Sequence, residues 1–361
     1  MATPRSDSYQ AASGATVGGG RVILPTWAQS MSVGVWGEIA GTAQTEFSEP
    51  GGMKMNAYCD MTLRPSDASL IAVAAGGHTD GSSNGAASIR LSDNAPAWVT
   101  RRTSSTPTAN VLYYGDGRPT SRHTYHHTHY IAGLDAVLLA GCRFGFGGGT
   151  PTGPGMDLFS LASNDYMPRF EFPDITPWAA AGYGVAQDGA GNIWTQVGHR
   201  FNVTTRTWSK PGSGSLHRYP CAYDSTRDRI FALQFGDGEG SDPQLGVQAR
   251  ELNPATGNSV TITFNASAAL TQFTNDAPQY AGMAFCPLDG KFYFMHPARI
   301  GTLYVITPNG GTTWDMATIT PPGSAPTSSG LLCKRVLWVD SLKGFVVQAN
   351  AYQNLRFLRM A

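Results

Sequence analysis

Charge is scarce in this chain. Asp, Glu, Lys and Arg make up 14% of its 361 residues, against about 25% in an ordinary globular protein. Acidic and basic residues number 25 each, so the formal net charge is zero, and only five of the basic residues are lysines. A chain so balanced has no basic face from which phosphate counterions could be released, so nucleic acid is not an expected partner and an anionic membrane surface is disfavoured. No apolar run approaches the roughly 18 residues that cross a bilayer, and membrane insertion is not expected either. The first 20 residues, MATPRSDSYQAASGATVGGG, lack the apolar core of a signal peptide. They read as a flexible or docking arm, with synthesis in the cytoplasm.

Helical periodicity is also nearly missing, since no segment keeps apolar residues at i, i+3, i+4 and i+7 for three turns without Gly or Pro. Cys59, Cys142, Cys221, Cys286 and Cys333 lie far apart with no CxxC pair, which argues for buried free thiols. H-E-x-x-H and the P-loop are absent, as is G-x-G-x-x-G leading into a helix. The glycine-rich GFGGGTPTGPG (Gly145 to Gly155) has no lysine to hold a phosphate. It reads as a loop insertion. Cofactors and bound metals are not expected.

What is present is a repeat. A polar turn followed by a strongly apolar strand recurs as LRPSDASLIAVAAGGH, IAGLDAVLLAGCRFG, VAQDGAGNIWTQVGHR, YDSTRDRIFALQFGDG, CPLDGKFYFMHPA and VDSLKGFVVQANA. In most copies a third strand and a tight turn follow and end at an aromatic residue, as in RFNVTTRTW and YVITPNGGTTW. Trp98, Trp208 and Trp314 are therefore read as packing residues between repeats. The sixth copy ends at LRFLRMA, one strand short. An open sheet edge exposes unpaired backbone groups, so RVILPTW, ending at Trp27, is expected to supply the missing strand.

These units resemble kelch-type β-propeller blades of the galactose-oxidase-like superfamily. TPNGGTTW (Thr307 to Trp314) also resembles the Asp-box hairpin of sialidase-type propellers, with Asn309 where that motif has Asp. The resemblance implies an all-β fold: a single six-bladed β-propeller of four-stranded antiparallel blades over residues 21–361, closed by an N-terminal strand, with residues 1–20 outside the ring. Neither motif carries chemistry.

In such a fold the loops after each second strand open at one mouth, and ligand sites form where loops from several repeats converge. Read in order, these loops begin with His78 and Asp80, Arg143, His199 and Arg200, Asp237, and His296 and Arg299. Four of the eight histidines crowd into RHTYHHTHY, where strand alternation predicts His123, Tyr125, His127 and His129 on one side, His123 nearest the mouth. A zinc site would take His127 and His129 with His78 or His296. The plainer reading, imidazoles hydrogen-bonded around a polar channel, is the one adopted. Copper-radical, sialidase and two-carboxylate hydrolase patterns have residue types to draw on, but no spacing singles them out. The function expected is that of a non-enzymatic binding propeller offering its mouth to a glycan or protein, in the setting of a bacteriophage tail or spike, with the arm contacting virion proteins. A carbohydrate-active or metal-dependent enzyme and a purely structural scaffold are the alternatives.

Overall fold

The computed structural model describes residues 24–43, 58–149, 151–175, 185–216, 220–235, 247–276, 280–327 and 331–361. The fold is all-β, with its sheets in a propeller arrangement. Among the described residues the strands form three four-stranded sheets, one five-stranded sheet and one of eight strands. The eight-stranded sheet is two antiparallel four-stranded units, residues 221–264 and 282–319. Their last strands, Asn258–Phe264 and Thr313–Ile319, pair in parallel at Thr263 with Thr313 and Phe264 with Trp314. First strands of successive units lie side by side: Thr62–Arg64 against Thr128–Ile131, Val185–Gln187 against Cys221–Asp224, then Gly282–Cys286, then Val336–Val339.

The turns form as their residues dictate. Asn202 Oδ1 accepts from the N–H groups of Thr204 and Thr205, and Asp224 Oδ1 from those of Thr226 and Arg227. Each thereby closes a turn on its own backbone. In the Asp-box-like hairpin Asn309 accepts from Gly311 N–H and donates to the Thr313 carbonyl, while Trp314 Nε1 donates to Gly311 at 2.9 Å. The Trp314 ring is fully buried against Phe231 and Phe292. Trp98 is buried and bonded through Nε1 to the Thr42 carbonyl, and Trp208 is half-buried on Phe201. All five cysteines are buried free thiols.

Three sequence expectations need correction. The strand that completes the last sheet is Trp36–Glu38, which pairs antiparallel with Arg356–Arg359 in the register Trp36 to Leu358. Trp27 lies instead in a short helix, Thr26–Gln29, with its ring edge-on to Phe357 at 5.2 Å. Pro25, which has no N–H to give a ladder, sits at the helix N-cap, and Asn94 Oδ1 takes the Thr26 N–H. Trp36, 2% exposed, is the buried ring of the closing strand.

A helix, Ala268–Asp276, occupies the connection between the two units of the eight-stranded sheet. Ser267 Oγ accepts from Leu270 N–H at its start, and Ala269 and Phe273, four apart, form its buried face. Two core contacts are too few to register as periodicity.

The alternation expected along the histidine cluster also fails. The strand is split into Arg122–His123 and Thr128–Ile131, both paired with Ala136–Gly145. Between them His127 N–H turns back onto the Thr124 carbonyl and Tyr125 takes a left-handed φ of 45°. This turn resets the period, so His126 and His129, not His127 and His129, line the central cavity.

Candidate functional site at the loop end

The site grows from a backbone crossing. Gly76 and Gly77 both have positive φ, and a Cβ on Gly77 would lie 2.4 Å from the Phe144 carbonyl oxygen and 2.5 Å from Arg122 Cα. Only glycine lets the 76–81 loop pass so close to the neighbouring sheet. Ser121 Oγ fastens the loop, accepting from Gly77 N–H and donating to the Gly81 carbonyl, both at 2.7 Å. Beyond the crossing, His78, Tyr125 and Phe144 adopt left-handed φ values of 45°, 45° and 48°. Such conformations persist only where surrounding packing imposes them.

The side chains this crossing positions form a hydrogen-bonded line. His123 Nε2 lies 2.7 Å from Asp80 Oδ2, and its Nδ1 lies 3.2 Å from the Tyr125 hydroxyl. A carboxylate only accepts, so Nε2 carries the hydrogen and Nδ1 accepts from Tyr125. Burial holds the His123 imidazole below its usual pKa, Asp80 opposes this, and His78 adds to it. His123 is 3% exposed while the Asp80 side chain is 36% exposed, so the line runs from core to solvent.

Rings from three distant segments surround it. Tyr58 packs on His123 at 4.5 Å and edge-on to Tyr280 at 4.9 Å. Tyr280 stacks on Tyr125 at 6.2 Å, and Phe144 lies 5.6 Å from His123. Tyr58, Phe144 and Tyr280 are each partly exposed.

The structure thus brings His78, Asp80 and His123 together, with Arg143 in register opposite His123. Other residues named from the sequence do different work. His199 closes a turn through Thr195, and Arg200 lies over the Trp194 ring at 5.8 Å. His296 Nδ1 accepts from Ala298 N–H at the start of a short 3-10 turn. Arg299 pairs with Asp276 at the end of helix Ala268–Asp276. No described contact joins these four to the His123 group, and Asp237 lies outside the described residues. Tyr58, Phe144 and Tyr280 escaped sequence reasoning, because a tyrosine preceding an inner strand looks like any other core aromatic. Among the described residues no group of three or more His, Cys, Asp or Glu side chains is placed to hold a metal ion.

At the other end of the sheets lies a cavity of about 600 Å³. Thr62, His129, Val185, Cys221, Met283 and Val336, each on an inner strand, line it. His126 and Lys334 face it as well.

Neither a protein-family model nor a curated protein matches this chain. Among solved structures it is similar to a structural-genomics protein of unknown function from Bacteroides thetaiotaomicron. That likeness has 14% identity and a TM-score of 0.48, and covers 89% of this chain and 74% of that one.

Proposed function

We propose that the four-stranded units are the blades of one six-bladed, kelch-like propeller, and that the protein is a binding module whose loop end meets a glycan or a protein surface. The observation that carries the binding reading is the patch made by Tyr58, Phe144 and Tyr280 beside Asp80: partly exposed rings from three distant segments next to a partly exposed carboxylate. Ring faces take up the C–H side of a sugar and a carboxylate accepts from its hydroxyls, the mixture of apolar wall and few polar groups that ligand sites share. The setting we infer is a bacteriophage tail or spike, with residues 1–20 docking onto virion proteins and a host-surface glycan as ligand. It is supported by the near-neutral, turn-rich composition.

A glycan array probed with the wild-type chain, Tyr58→Ala and Asp80→Asn tests this reading. Wild-type binding to a defined glycan set that both variants lose supports it. Binding that survives both substitutions removes the patch as the site. The second reading, a hydrolase or lyase, has one observation in its favour, the Asp80–His123–Tyr125 line, which could shuttle a proton. Turnover of the bound glycan by the wild type and not by His123→Ala would shift the assignment to an enzyme.

A further inference from the structure

The chain has only five lysines, and Lys334 is unlike the other described ones. Lys291 and Lys343 stand beside Asp289 and Asp340 with 36% and 42% of their side chains exposed, and Lys210 is exposed. Lys334 instead borders the cavity at the opposite end and is only partly exposed. Its Nζ donates to the Thr128 carbonyl at 2.6 Å and lies 3.2 Å from His129 Nδ1. Among the described residues no carboxylate is near enough to form an ion pair with it. An uncharged amine has two hydrogens, and these two acceptors take both. The lone pair then occupies the remaining position on the nitrogen, which has no protein partner among the described residues.

The surroundings keep that amine within reach of neutral pH. Burial brings the Lys334 ammonium down to about 8, against the pull of Asp60 and Cys221. Asp60, near 6, is already ionised there, and the Cys221 thiol, near 12, is still neutral. Burial also holds His126 and His129 neutral, with His127 beside them, and Arg335 follows in the chain, fully buried. Lysines desolvated in this way are the ones that act as nucleophiles toward carbonyl groups. Leu63, Met283, Phe285 and Leu337 give the cavity apolar walls. Its lining carboxylates are Asp188, which accepts from Asn192 and Trp194, and Asp340, which accepts from Trp338 and Lys343. They would repel an anionic guest and leave a neutral one unaffected.

We propose that Lys334 is a covalent capture site for a neutral aliphatic aldehyde, whose hydrocarbon tail lies along Leu63, Met283, Phe285 and Leu337. The lone pair of Nζ attacks the carbonyl carbon, the carbonyl oxygen gains a proton and the nitrogen sheds one, giving a carbinolamine. Its hydroxyl then leaves with a further proton as water while the second N–H proton is lost and the C=N bond forms. Aldehyde and amine thus become imine and water, with the protons exchanged through solvent and no oxidant or reductant consumed. The site stands apart from the loop-end patch and does not depend on the glycan reading.

Trapping the imine on the full wild-type chain tests the proposal without any substitution. The protein is incubated with hexanal and cyanoborohydride, and the alkylated lysines are read by peptide mass spectrometry. At about pH 7 Lys334 is expected to be labelled at least about tenfold faster than Lys291 or Lys343, since an ordinary lysine, near 10.4, is uncharged far less often. That ratio should fall as pH rises past about 8, where the Lys334 amine is already mostly uncharged. Octanol, which fills the cavity but has no carbonyl, should slow labelling of Lys334 alone, and glyoxylate, an anionic aldehyde, should label it several-fold more slowly than hexanal does. Labelling that simply follows exposure, with Lys343 ahead of Lys334, would overturn the assignment. So would a ratio that ignores pH, indifference to octanol, or glyoxylate reacting at Lys334 as fast as hexanal.

Discussion

The two ends of the molecule treat histidine differently. At the loop end His123 is held between an acceptor and a donor, Asp80 and Tyr125, and the carboxylate faces solvent. Beside the cavity His129 has the Lys334 ammonium 3.2 Å from Nδ1, and burial holds its imidazole neutral. The first arrangement is complete without a ligand and offers its rim. The second is sealed in the core. The backbone differs correspondingly: left-handed residues and a glycine crossing build the loop end, whereas regular strand ends line the cavity. Unusual backbone sets the position of one imidazole, and burial beside a cation sets the charge state of the other.

The sharpest way to break this comparison is Gly77→Ala. The added Cβ meets backbone atoms of Phe144 and Arg122, so no side chain can swing aside, and the positive φ of 81° adds its own strain. A loss of about 3 kcal/mol in urea unfolding is expected. Gly290→Ala, with positive φ but open space around it, should cost only about 1 kcal/mol. Similar losses for the two would mean that the crossing is not what holds the loop end.

Acid should act next, and mainly on the cavity. Burial lowers His126 to about 3 and His129 well below 6.5. Folded-state values depressed in this way mean that the unfolded chain binds protons first as pH drops below about 6.5, so stability falls with pH. Each buried histidine should then lose on the order of 2 kcal/mol by about pH 5. Asp60, raised to about 6, works in the opposite sense between that value and 3.8 and offsets part of the loss. Melting temperatures followed from neutral to mildly acid pH should decline, and less steeply in His126→Asn. An identical slope in that variant would place the acid sensitivity elsewhere.

The smallest effect sharpens the loop end. Asp80 is what opposes the burial of His123, so Asp80→Asn should move the imidazole further below its ordinary value with little change in stability. NMR titration of the ring protons reads this directly. A shift in the other direction would mean that the carboxylate does not govern His123.

Parts of this layout were legible beforehand. The turn chemistry at Asn202, Asp224 and Asn309 and the burial of Trp98 and Trp314 follow from local rules that operate within a few residues. The pairing of His123 with Asp80 was half visible, since both were singled out for the same mouth. Closure was placed on the wrong segment because Trp27 and Trp36 are equivalent as hydrophobic residues, and only the need for a hydrogen-bonding partner beside Arg356–Arg359 separates them. His199, Arg200, His296 and Arg299 looked alike in sequence, yet local turns, ring contacts and a helix end claimed them. Lys334 gave no signal, because a lone lysine after a cysteine reads as surface until its neighbours are known.

The sequence by itself determined the strand-and-turn grammar: short apolar runs, Asn and Asp turns, and bulky rings at the strand ends, all consequences of backbone geometry and side-chain burial over short range. Tertiary structure alone decided which histidines meet a carboxylate and which face a cation in a cavity. Those meetings join residues 43 positions apart at one end and 205 at the other, and no local preference can encode a contact whose energy exists only once distant strands have been brought side by side.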